Sequence, residues 1–129
     1  MTDHLVMARQ FVMEQIEKRD DVIGALVCGS VARGEATVTS DIYLAIYVSR
    51  DTGEGKRDLA CWQEGVFRDA GAVTTEGLGS LEEVMKNPVK ATHLNDSVIL
   101  FDPKGFLGKL QEQVRSVFME PRYLCFVQG

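Results

Sequence analysis

The stretch Val22-Ile23-Gly24-Ala25-Leu26-Val27-Cys28-Gly29-Ser30-Val31-Ala32-Arg33-Gly34, followed after a short loop by Ser40-Asp41-Ile42-Tyr43-Leu44, decides the fold. Residues 22–28 are a nearly unbroken apolar run, which suits a buried strand. Gly29 lets the backbone turn sharply and lets a ligand approach it closely. Ser30 opens a short helical turn, where free N–H groups and the hydroxyl suit an anion such as a triphosphate. Gly34 releases the turn, and residues 35–40 read as a loop. From Asp41 to Val48 the pattern alternates. Asp41, Tyr43, Ala45 and Tyr47 share one face, while Ile42, Leu44, Ile46 and Val48 form a core face. Asp41 and Tyr43 therefore point together toward the Gly29-Ser30 loop. Two carboxylates at those positions would clasp Mg2+ through hard oxygen ligands.

The segment resembles the nucleotidyltransferase superfamily, which includes DNA polymerase beta, the kanamycin and lincosamide nucleotidyltransferases and the minimal nucleotidyltransferases of prokaryotes. Its signature is Gly-Ser, a short turn ending in Gly, then Ser-Asp-x-Asp-Leu on a strand. Gly29, Ser30, Ala32, Arg33, Gly34, Ser40, Asp41 and Leu44 match with the usual gap. Isolated Gly-Ser and Ser-Asp pairs are ordinary turn chemistry; eight positions in register are far more specific.

The resemblance implies an α/β (α+β) fold, a mixed sheet flanked by helices. It also implies attack by an acceptor hydroxyl on the α-phosphate of a nucleoside triphosphate, ATP foremost. Gly29 and Ser30 would hold the β- and γ-phosphates, with Arg33, Gly34 and Ser40 completing the nucleotide site, and Asp41 would bind Mg2+. For Arg33 a solvated helix-face cation is an equal alternative.

The sequence departs from the pattern at Tyr43, where the family has its second metal-binding Asp. A phenol is uncharged at neutral pH and a poor Mg2+ ligand, so impaired transfer is expected. A third carboxylate, the base for the acceptor, is expected on a neighbouring strand. Glu76 is the first candidate, with Asp69 or Glu35 as alternatives and a merely solvated Glu76 as the bland reading. Two further readings follow from the family. In one the domain is a catalytically silent module, either sensing a nucleotide or pairing antitoxin-like with a helical protein; in the other it is the first half of an enzyme with a C-terminal helical domain.

Outward from the motif, Leu5, Ala8, Phe11, Val12, Gln15 and Ile16 recur at helical spacing over residues 3–18, with Thr2 or Asp3 as cap. Residues 56–70 read as a helix with Leu59, Trp62, Val66 and Phe67 inward, ended by Gly71. Residues 72–76 read as a strand. Ser80-Leu81-Glu82-Glu83 carries a capping-box pattern for a helix that stops by Pro88. Residues 97–101 read as a strand and 105–119 as an amphipathic helix using Phe106, Leu110, Val114 and Val117 or Phe118. The final apolar residues, 123–129, are read as the possible start of a second domain.

Composition narrows the function classes. With 129 residues, 45% apolar and 26% charged, the chain can bury a core, which excludes a disordered or fibrous protein. The net charge of −5, with no Lys/Arg run beyond Lys56-Arg57, disfavours a stable duplex nucleic acid. Cys28, Cys61 and Cys125 have neither the parity nor the spacing of a disulfide framework or zinc site. His4 and His93 show no ligand pattern. No signal peptide or membrane-length apolar run is evident, so the cytoplasm is the expected location.

Overall fold

A computed structural model describes residues 3–37, 39–50, 61–63, 65–74 and 78–118. Among these, five strands form one mixed sheet in the order β3-β4-β2-β1-β5. The strands are β1 (Val22–Cys28), β2 (Ile42–Val48), β3 (Cys61–Gln63), β4 (Val66–Thr74) and β5 (Val98–Phe101). The β2–β4 pair is parallel and the other pairs are antiparallel.

Helix α1 (His4–Phe11) continues as a π-helical stretch, Val12–Ile16. Asp3 caps it, its Oδ1 accepting from Leu5 N at 2.8 Å. Met7, Ala8, Phe11, Val12 and Ile16 are buried against Ala25, Val27, Ile42, Leu44 and Ile46. Met7 completes this face where the periodicity had Gln15, which is exposed.

The other face of the sheet is covered too. Helices α2 (Leu81–Met85), α3 (Pro88–Asp96) and α4 (Phe106–Phe118) bury Val84, Ala91, Leu94, Leu107 and Val114 against Leu26 and Tyr47. Tyr47, on the face opposite the expected core face, is only 5% exposed and meets Phe106 edge-on. Ser80 caps α2 as the capping box requires, its Oγ accepting from Glu83 N. Pro88 both stops α2 and opens α3 at its first turn, where a missing N–H costs nothing. The carboxylate of Asp102 accepts from Leu107 N and Gly108 N at the start of α4. Gln111 pins α4 to the α3–β5 junction. Its buried amide donates to Leu94 O (2.9 Å) and Ser97 O (2.8 Å) and lies 3.0 Å from Ser97 Oγ.

Gly24 lets α4 sit this close. A Cβ there would meet Leu107 Cδ1 at 2.6 Å and Cγ at 3.2 Å.

The helix expected over residues 56–70 is corrected where the chain is described. Residues 61–63 and 66–74 pair as antiparallel strands, with Gly65 (φ 80°) ahead of the second. Val66, Arg68 and Ala70 alternate inward at strand spacing, and their pairing with β2 overrides the helical reading. Gly71 does not end a helix but lies buried inside β4 opposite Ala45. Trp62, expected in the core, is 71% exposed and leans on Phe67 with centroids 5.2 Å apart. Arg68 is buried with its guanidinium 3.4 Å over the Phe11 ring, tying β4 to α1.

Candidate functional site

At one end of the sheet the chain leaves β1 through a compact turn. Gly29 (φ 76°) and Gly34 (φ 73°) occupy the left-handed region that favours glycine. Between them Arg33 N donates to Gly29 O, Gly34 N to Val31 O, and Glu35 N to Ser30 O at 2.9 Å. Val31 is buried and fastens the turn to the α1-side core. The loop is thus held by its own backbone and by Val31, with Ala32 also packed on that core, while Ser30 is half-buried at its start.

Arg33 and Glu35, both well exposed, form an ion pair at 3.4 Å. Such a pair contributes little to stability, so Arg33 remains available to an anionic ligand. Glu35, one of the three candidate carboxylates, has Arg33 as its ion-pair partner.

A second turn delivers Asp41 to the head of β2. Ser40 N donates to Thr37 O at 3.0 Å, and Ser40 Oγ accepts from Thr37 N at 2.8 Å. The Thr37 hydroxyl lies 3.1 Å from that of Thr39. Ser40, expected beside a nucleotide, has this turn-closing role in the structure.

Asp41 is half-buried and immediately precedes β2. Tyr43 follows on the same face and is 44% exposed, whereas Ile42 and Leu44 beside it are buried. A Cβ on Gly29 would sit 3.4 Å from Tyr43 Cδ2, so the Tyr43 ring lies against the loop backbone. The register places Cys28 of β1 on one side of Tyr43 and Asp69 of β4 on the other. The Cys28 thiol donates to Tyr43 O at 3.8 Å. Burial pushes this thiol above its ordinary range. Arg33 opposes that shift and the Asp69 charge adds to it. Arg33 and Asp69 are therefore both within electrostatic reach of Cys28.

Asp69 is the acidic residue that the described register brings beside Tyr43. Glu76 lies outside the described residues. Thr74, the last described residue of β4, pairs with Val48 at the end of β2 remote from Asp41.

Among the described residues no group of three or more His, Cys, Asp or Glu side chains is arranged as a metal cage. Asp41, two residues before Tyr43, and Asp69, paired with it on β4, are two hard carboxylates. That donor set suits Mg2+, which is commonly held by one or two carboxylates together with a substrate's own phosphates. The arrangement thus fits a cation that arrives with an anionic ligand. Among the described residues no helix is long and apolar enough to cross a membrane.

A cavity of about 450 Å3 lies on the α1 side of the loop, lined by His4, Leu5, Val31, Gly34 and Thr37 among others. It is separate from the Cys28–Tyr43–Asp69 row.

Comparison with known proteins bears on the family and the fold. A family model described as "Nucleotidyltransferase domain" matches residues 11–120. A search of curated proteins finds no match. Among solved structures the fold is similar to that of a nucleotidyltransferase-like protein from Exiguobacterium sibiricum 255-15, with a TM-score of 0.62 and 13% sequence identity. The similarity covers 84% of this chain and 38% of that one, so this chain spans well under half of that protein's length.

Proposed function

The chain belongs to the nucleotidyltransferase domain family, and on that premise we propose that it binds a Mg2+-nucleoside triphosphate, ATP foremost, and transfers a nucleoside monophosphate to a hydroxyl. The observation that carries the proposal is that Tyr43, two residues after Asp41, lies against the Gly29 end of the turn and pairs with Asp69. Backbone N–H groups and the Ser30 hydroxyl hold the β- and γ-phosphates. Arg33 exchanges Glu35 for a phosphate oxygen. Asp41 and Asp69 hold Mg2+, which when bound offsets the charge of the reacting phosphate. Asp69 also takes the proton of the attacking hydroxyl, the role the sequence offered first to Glu76. Tyr43 removes one carboxylate from the family's set, so turnover on an external acceptor is slow.

Calorimetric titration of Mg-ATP tests this in the parent, Ser30→Ala, Asp41→Ala and Tyr43→Asp proteins. Metal-dependent affinity should fall in the first two variants and rise in the third. Equal affinity in the parent, Ser30→Ala and Asp41→Ala would sink the proposal.

Tyr43 itself supports a second reading, a silent antitoxin-like module that retains the nucleotide loop and works through a helical protein partner or a C-terminal helical domain. A complex purified from the cytoplasm with no nucleotide adduct on the partner would support that reading; an adduct would support transfer.

A further inference from the structure

Tyr43 is an exposed phenol placed where the site's chemistry converges. Its neighbours on either side along β2, Ile42 and Leu44, are buried core residues, while Tyr43 itself is 44% exposed. Its ring rests on the Gly29 backbone. Asp69 stands opposite it in register, and Asp41 precedes it by two residues on the same face. Tyr43 is thus a half-exposed phenol beside Asp69 and the Gly29–Gly34 turn.

We propose that Tyr43 is a nucleotidylation site: its hydroxyl is the acceptor for a nucleoside monophosphate taken from the triphosphate bound at its own Gly29–Gly34 loop. The proposal rests on the nucleotide-binding reading above. The Tyr43 oxygen forms a bond to the α-phosphorus, the bond from that phosphorus to the bridging oxygen breaks, and pyrophosphate leaves with the electron pair. The phenolic proton passes to the Asp69 carboxylate and from there to water. The product is a phosphodiester between Tyr43 and the nucleoside, and no other reactant is required.

An acceptor fixed inside the site offsets the loss of a carboxylate. Well-oriented intramolecular groups react with effective molarities on the order of 10^5–10^8 M. The residue that weakens transfer to other acceptors is thus itself the one best presented.

The test incubates the full chain with Mg2+ and α-32P-labelled ATP, then maps the label by peptide mass spectrometry. A parallel titration with a non-hydrolysable α,β-methylene ATP measures binding alone. The expected result is one nucleoside monophosphate per chain on the Tyr43 peptide, removable by phosphodiesterase, with a first-order rate independent of protein concentration. Tyr43→Phe, which keeps the ring against Gly29, should lose the label. Asp69→Asn should slow labelling at least tenfold while the protein melts as the parent does. Analogue binding without label on Tyr43 overturns this proposal and leaves the nucleotide-binding reading standing. Absence of both overturns the two together. A rate that scales with protein concentration also overturns it, since the acceptor would then be a second copy.

Discussion

Asp69 stands directly across from Tyr43 in the parallel β2–β4 pair. Adjacent strands lie about 4.8 Å apart, so side chains at paired positions on one face are neighbours. A carboxylate and a phenol thus share the position where the loop, β1 and β4 meet.

If Asp69 and residue 43 act on one cation, their effects are not additive. Tyr43→Asp should raise Mg-ATP affinity at least tenfold, about 1.4 kcal/mol. In the Tyr43→Asp, Asp69→Asn double variant most of that gain should vanish, a coupling of about 1 kcal/mol or more. EDTA should abolish the gain in the single variant. Calorimetry across the four proteins checks this, and strict additivity would separate Asp69 from the metal.

The Cys28 thiol senses the same row. Burial raises it first, with Arg33 opposing and Asp69 reinforcing. Asp69→Asn should therefore speed alkylation of Cys28 at mildly alkaline pH, and Arg33→Ala should slow it, because the thiolate is the reactive species. Site-resolved mass spectrometry of iodoacetamide labelling distinguishes Cys28 from Cys61 and Cys125.

Gly24 sets the distance between β1 and α4. Gly24→Ala drives a methyl into Leu107, which is fully buried. The expected loss is ~1–3 kcal/mol, typical of overpacking, read as a lower midpoint in urea. An unchanged midpoint would mean that α4 shifts freely on the sheet.

Acid should loosen the β1 entry. Arg19 grips the carboxylate of Asp21 through two bonds, Nη2 to Oδ2 at 2.8 Å and Nε to Oδ1 at 3.1 Å. This bonding holds the Asp21 carboxyl below its ordinary value, against an opposing effect of burial. A folded-state value below the unfolded one means stability present above about pH 4 and lost as pH falls through the folded value. Denaturation midpoints at pH 6 and pH 3 should differ more in the parent than in Arg19→Ala.

The turn and β2 were legible because their signals are local. Gly29 and Gly34 mark their own backbone conformations, and the alternation over residues 41–48 names the core face. Capping residues Asp3 and Ser80 were equally readable. Asp69 was obscured for a physical reason. The apolar spacing around Trp62, Val66 and Phe67 satisfies a helical period, and only pairing with β2, a tertiary effect, turns it into paired strands. Gly65 was the available clue, as a turn residue between two short β-prone runs. The burial of Tyr47 was invisible likewise, because the helices that cover it lie more than thirty residues further along the chain.

The Cys28–Tyr43–Asp69 row draws one member from each of three strands, and the third is inserted far later in the chain than the first. A ligand spanning the row acts as a splint across the β2–β4 seam. Its occupancy then adds to the stability of the folded sheet by mass action and slows amide exchange in β4 well away from the ligand itself.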